Sequence, residues 1–309
     1  MISRTFLIRA AVALAILAAP AAQAQGQPRQ TLGWSSIFNN DFLGDGSDRW
    51  RSSSYTISWL RGPEWTGRLP EMPGRILEYR FRTSTLSPSN LSNPAPGDRP
   101  YAGTLGFGVH THFRHHGFDL TLGGGIDVTG PQTGHGERQK WAHDRLGIAP
   151  PSAKVLDNQI GNAVYPAISA EAARPFRLSD GVMMRPFLAA QAGAETLIRA
   201  GGDIIIGTWG QGDLLVREPE TGQFYTATRG GTPGLSFLLG GDAAWVADSH
   251  YLPSSRGYRL TDTRNRLRAG VKWQGRRFGV FYGVTWLGKE FVGQSDTQLV
   301  GSLNFRISF

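Results

Sequence analysis

Apolar residues recur at every second position in run after run of this chain, and that period confines it to β-structure. The last run shows it most plainly. Leu303, Phe305, Ile307 and Phe309 alternate with Ser302, Asn304, Arg306 and Ser308. Earlier runs repeat the pattern in Leu32, Trp34 and Phe38, in Tyr55, Ile57 and Trp59, and in Leu77, Tyr79 and Phe81. A fourth run carries Leu105, Phe107, Val109 and Phe113, and a fifth Phe118, Leu120, Leu122, Ile126 and Val128. Segments 164–173, 182–193, 197–207, 234–246, 267–273 and 278–286 bring the count to about twelve, an even number as single-chain bacterial barrels require. A soluble sandwich would need a second sheet against every apolar face. Trp34, Trp59, Trp273 and Trp286 near strand ends suit the aromatic girdles of a membrane barrel instead. The expected fold is all-β, a closed antiparallel transmembrane β-barrel.

No apolar run after the N-terminus is long enough for a membrane helix. The N-terminus itself reads as a secretory signal peptide over residues 1–24. Arg4 and Arg9 precede the apolar stretch Phe6–Ala19, and Ala22-Gln23-Ala24 supplies the small-x-small cleavage pattern. The barrel domain then occupies 25–309, and the expected location is the bacterial outer membrane. The chain has no cysteine, so neither a disulfide nor a thiolate is available. Its formal net charge is +8. Removing Arg4 and Arg9 leaves about +6, which suits an anionic surface such as a phosphorylated glycolipid. An exported barrel is no candidate for nucleic-acid binding.

With both termini in the periplasm, odd-to-even connections face outward. Arg114–Gly117 and Gln274–Arg277 fit short periplasmic turns. Two connections on that side, Arg61–Gly74 and Thr208–Pro233, are too long for the rule. The unusual residues collect at the other end. Asn39-Asn40-Asp41 and Asp48–Ser52 span the first outward connection, and Ser87–Gly103 the second. The third contains GERQKWAHDRLG, residues 136–147, which is long enough for about three helical turns before Pro150-Pro151. Gln139 and His143 then share a helix face. Neutral histidine is the usual general base near neutral pH, although a lone histidine is more often structural. Asp41 has the lumen-facing parity of Gly33 and Ser35. It could hold a hard cation such as Ca²⁺ with oxygen from Asn40 or backbone carbonyls, or it could belong to an Asn-Asp turn. Ser52 shares the inward parity of Ser54, Thr56 and Ser58, as a substrate-binding hydroxyl or a plain lumen residue. His110 and His112, two apart on one inward face, could pair on a transition metal, but with no third ligand evident they read as lumen residues. No G-x-S-x-G elbow, phosphate loop or dinucleotide-binding glycine pattern is present.

Taken together, Asn40-Asp41, DRPYAG at 98–103, Gly130-Pro131 with Gln139-x-x-x-His143, and Asp157-Asn158-Gln159-Ile160-x-Asn162 resemble the outer-membrane lipid A 3′-O-deacylases. That resemblance implies a twelve-stranded barrel and a Ca²⁺-dependent esterase site at the outer rim. It implies His143 as base, Asp41 and Asn40 at the metal, and Ser52 in place of the family's threonine. Gln139, Arg99 and Asn158 are the expected substrate contacts, and lipid A in the outer leaflet the expected substrate of a monomeric enzyme. The family's functional lysine has no counterpart between Ser89 and Gly97, where Asn93 is nearest; Arg99 or Arg138 could supply the charge. A non-catalytic barrel and a phospholipase are the competing readings.

Overall fold

A computed structural model of the chain describes residues 28–229 and 231–307. The signal peptide lies outside the described residues, as does the terminal Phe309.

Twelve long antiparallel strands close into a barrel. They are β1 (Gln30–Asn40), β2 (Trp50–Gly62), β3 (Leu77–Ser87), β4 (Ala102–His115), β5 (Phe118–Thr129) and β6 (Ala163–Ala173), then β8 (Val182–Ala192), β9 (Glu195–Gly207), β12 (Gly234–Ser249), β13 (Arg264–Gln274), β14 (Phe278–Leu287) and β15 (Gln298–Ile307). Each pairs with its neighbours, and β1 closes on β15 with Phe38 opposite Leu303. A short β7 (Phe176–Ser179) only extends the periplasmic turn into β8. Closure joins β1 to β15 over Phe38–Asn40 and β6 to β8 over Ile168–Ala173, so the sheet has no free end in the membrane.

The period of two becomes two faces. On β2, Ser54, Thr56 and Ser58 are buried inward, while the alternate Tyr55, Ile57 and Trp59 face out. Large apolar side chains stay exposed around the outside, among them Phe107, Ile198, Phe237, Leu267 and Phe305, as lipid-facing residues must. Trp34 stacks on Trp59 at 5.1 Å, and Trp59 packs on Tyr79 at 5.4 Å. These three form an aromatic girdle at the periplasmic end, as the tryptophan pattern predicts.

The lumen is polar but filled. Glu171, Arg185, Arg217 and Asp203 form ion pairs there, continued by Arg268, Asp242, Arg266 and Arg199. His112 belongs to the same interior, with Nε2 2.8 Å from Glu78 and Nδ1 3.0 Å from Thr121. The two connections that are too long for periplasmic turns explain each other. Residues 208–233 fold back into the barrel as a hairpin of β10 (Leu215–Arg217) and β11 (Phe224–Thr226). Trp209, Phe224 and Tyr225 pack against Leu60, Ile205 and Phe281 in a buried apolar cluster. Trp65, from the connection before β3, packs on this cluster and donates from Nε1 to the Gly212 carbonyl at 2.7 Å. The hairpin presses so close to β1 that any Cβ on Gly33 would overlap the Ala227 carbonyl.

Candidate functional site

The outer end is built by the connections after β1, β3 and β5. The third forms the helix α1 (His135–Leu146) and then a short α2 (Ala153–Asp157), which the sequence did not announce. α1 lies within one residue of its expected range and ends on Gly147 in the left-handed conformation at φ 68°. It packs against the outward face of the wall, not over the lumen. Thr83, on the same parity as Tyr79 and Phe81, lies 2.7 Å from His135 Nε2. Gly103, opposite Thr85 on that face, has no room for a side chain, because a Cβ there would meet His135 Cβ at 2.5 Å. The Arg138 guanidinium, which can only donate, lies 2.9 Å from His135 Nδ1. Nδ1 therefore accepts, and Nε2–H donates to Thr83. Burial and the Arg138 charge push the His135 imidazole down to about 4. His135 is a neutral tether for the helix.

His143, one face-turn along, has different partners. Its Nδ1 lies 2.8 Å from the Ala149 carbonyl, so Nδ1 carries a proton and donates. Its Nε2 lies 2.9 Å from a carboxylate oxygen of Asp48. Gln139 donates to the same carboxylate at 3.2 and 3.3 Å. The shared helix face expected for Gln139 and His143 is thus real, and Asp48 is what it faces. Asp48 was no candidate in the sequence. Its signal was its place in the Asp48–Ser52 stretch, whose other end already counted.

Asp41 is 1% exposed in the turn that follows β1. Its carboxylate accepts from the Arg49 amide at 2.6 Å and from Gln298 Nε2 at 3.2 Å. Burial pushes this carboxyl up to about 8, against the Arg49 amide bond and with the help of Asp48 and Asp45. Asn40 makes the turn that its sequence also allowed, its Oδ1 accepting from the Phe42 amide at 2.9 Å. The Asp41 amide donates to the Ser52 carbonyl at 3.1 Å, so Asp41 and Ser52 are neighbours. The alternation expected at Ser52 is broken. A bulge between Arg51 and Ser53 leaves Ser52 unpaired with β3, and its hydroxyl bonds Ser87 Oγ at 2.8 Å. Ser87 belongs to the outward parity of β3, whereas Arg51 turns inward to Glu290 and Glu195. Beside the bulge, Trp50 holds φ at 52°, a strained value for a large side chain, and donates from Nε1 to Asp98 at 3.3 Å.

Arg99 and Asn158 do not join this group. Arg99 is buried against Glu290, its Nη1 at 3.2 Å. Asn158 is exposed at the end of α2. Both line a groove of about 570 Å³ together with Lys154, Arg256 and Tyr258, and Tyr101 joins the groove to the Asp48 region. Arg138 is committed to His135. The Ser89–Gly97 loop has no lysine of its own, but Lys154 of α2 reaches it and donates to Asn93 Oδ1 at 3.1 Å. Among the described residues no group of three or more His, Asp or Glu side chains forms a metal cluster. Any cation at Asp41 would draw its remaining ligands from carbonyl and hydroxyl oxygens.

The family model described as outer membrane protein LpxR matches residues 8–309. No curated protein matches the chain in sequence. Among solved structures, LpxR from Salmonella typhimurium superposes with a TM-score of 0.73 at 16% identity, covering 90% of this chain and 100% of that one. The β domain of the Bordetella autotransporter BrkA gives 0.42 at 13% identity, covering 90% and 99%. The KdgM porin gives 0.40 at 6%, covering 89% and 99%.

Proposed function

Because the chain belongs to the outer membrane protein LpxR family, we propose that it is a lipid A 3′-O-deacylase, hydrolysing the ester that holds the 3′ acyloxyacyl chain. The observation that carries this reading is the His143–Asp48 pair, held by a helix on the lipid-facing side of the wall beside a buried Asp41. An ester in the outer leaflet meets that side of a barrel, not its lumen.

In this mechanism Nε2 of His143 is the base. The bond from Nδ1 to Ala149 fixes the ring and leaves Nε2 as the atom that can accept a proton. It takes that proton from the attacking water, and the imidazolium so formed is the state in which Nε2–H donates to Asp48, the 2.9 Å contact seen here. Gln139 holds the Asp48 carboxylate in place. Ser52, whose hydroxyl is held by Ser87 on the same side, would be the hydroxyl for the substrate or the metal shell. Helix α1 buries His143 against the wall, while Asp48 stays partly open to solvent.

Calcium is the cofactor that the family resemblance implies, and the donors here fit it. Asp41 is a buried carboxylate among like charges with no cationic side chain on it, and the Arg49 amide and Gln298 Nε2 both bond its Oδ2. When bound, a hard divalent ion supplies Lewis-acid polarisation of the ester carbonyl. Asp41 would hold it, with the Asn40 side chain setting the turn that presents Asp41.

The pore reading meets the folded-in hairpin of 208–233, which occupies the lumen. The test is fatty-acid release by the purified protein from lipid A and, in parallel, from glycerophospholipid. His143→Ala is expected to cut release from lipid A by about 10²-fold or more while the barrel still folds. Full activity in that variant sinks the mechanism, and release from phospholipid alone replaces the substrate.

A further inference from the structure

Three apolar residues in the last two turns of α1 and just past its Gly147 cap are exposed and unused by the site. Trp141 is 62% exposed, Leu146 71% and Ile148 46%. The Arg145 guanidinium lies 5.2 Å over the Trp141 ring, and Lys140 is exposed next to it. Because His135 and Thr133 fix the helix to the outward face of β3 and β4, its free side points away from the wall. The lipid-facing belt runs up to this level, through Phe107, Ile126 and Val164 on the neighbouring strands. We propose that α1 is an interfacial helix that docks on the outer leaflet of an anionic membrane, with Trp141, Leu146 and Ile148 entering the headgroup–acyl boundary and Lys140 and Arg145 meeting lipid phosphates.

The chemistry favours this occupant over water or another protein. A tryptophan flanked by cations is an interfacial anchor, with its ring at headgroup level and its charges among phosphates. The patch continues the face of the barrel that already meets lipid. Glu137 and Asp144 also lie exposed on the helix, so apolar insertion rather than net charge supplies most of the attraction. His143 is two residues from Trp141 and so about 200° around the same helix. Docking would therefore hold the His143–Asp48 pair at the depth where an acyl ester sits. The docking itself does not depend on the enzymatic reading.

The chain lacks cysteine, so Leu146→Cys gives one labelling position for an environment-sensitive fluorophore. Ser92→Cys, on the exposed β3–β4 connection, is the control. Both proteins are reconstituted into phosphatidylcholine vesicles with and without phosphatidylglycerol, and quenched by headgroup-proximal spin-labelled lipid or by aqueous iodide. The expected result is several-fold stronger lipid quenching and weaker iodide quenching at 146 than at 92. The difference should grow with anionic lipid and fall when Trp141→Ser and Ile148→Ser are added. Equal quenching at the two positions overturns the proposal. So does self-quenching that rises with protein density, which would mark the face as a contact between copies of this chain. Deacylation is read separately: docking without deacylation refutes only the function, and deacylation without docking only this inference.

Discussion

Two histidines eight residues apart on one helix have opposite roles, and their partners decide which. His135 faces a donor, Arg138, and stays neutral. His143 faces a carbonyl and a carboxylate, which call for protons on both nitrogens once the ring has accepted one. Asp48→Asn should therefore slow deacylation without removing it. His143→Ala should cost about 10²-fold or more, the usual scale of a lost general base; equal losses in steady-state kinetics would show Asp48 to be part of the base itself. Asp41 carries a separate prediction. A carboxyl raised from 3.8 to about 8 favours the folded state below its unfolded value, and that stability is lost as pH rises toward 8. A cation at Asp41 displaces the proton. Calcium binding near pH 7 should release about one proton per ion, measured calorimetrically in buffers of different ionisation enthalpy, and should tighten as pH rises. Asp41→Asn should abolish the release. Binding with no proton exchange would remove Asp41 from the metal site. Strand parity, helix spacing and the family motifs make Asp41 and His143 candidates, but Asp48 emerged only when the helix was placed. A carboxylate's partner across a loop has no sequence period.

At the scale of elements, strands were the legible part. The period of two located all twelve long strands because each has one face in lipid and one in a polar lumen. It failed where a local feature breaks the period. The bulge at Ser52 turns that hydroxyl to the side of Ser87, which parity alone assigned to the lumen. The helix was legible from its glycine and proline limits, but not the side of the wall on which it rests. That side depends on Gly103, a glycine among many in a barrel. Gly103→Val should push His135 and α1 off the wall, because the new side chain meets His135 Cβ. Deacylation should fall sharply while heat-modifiable migration on gels still reports a closed barrel. Unchanged activity would mean that α1 is not the element that holds the base.

For the molecule as a whole, the two anomalous periplasmic connections turn out to be one device. A long connection on the wrong side could mean a missed strand pair or a segment folded inward, and strand counting cannot tell these apart. The answer lies in contacts far apart in sequence, such as Trp65 with Gly212 and Gln223 Nε2 with Thr285 Oγ1 at 3.1 Å. A barrel filled in this way should conduct few ions. Planar-bilayer recordings of the intact protein should show no sustained conductance, and deletion of 210–231 should open it. Steady channels in the intact protein would restore the pore reading. The filled lumen and the helix on the outer wall both turn the chemistry toward the lipid, where lipid A lies. The most direct test is mass spectrometry of lipid A from cells carrying the protein, with and without chelator, and from cells carrying His143→Ala. The account predicts lipid A shortened by the 3′ acyloxyacyl chain with the intact protein and calcium, and full-length lipid A in the other two. Full-length lipid A in all three, with the protein folded in the outer membrane, would contradict it.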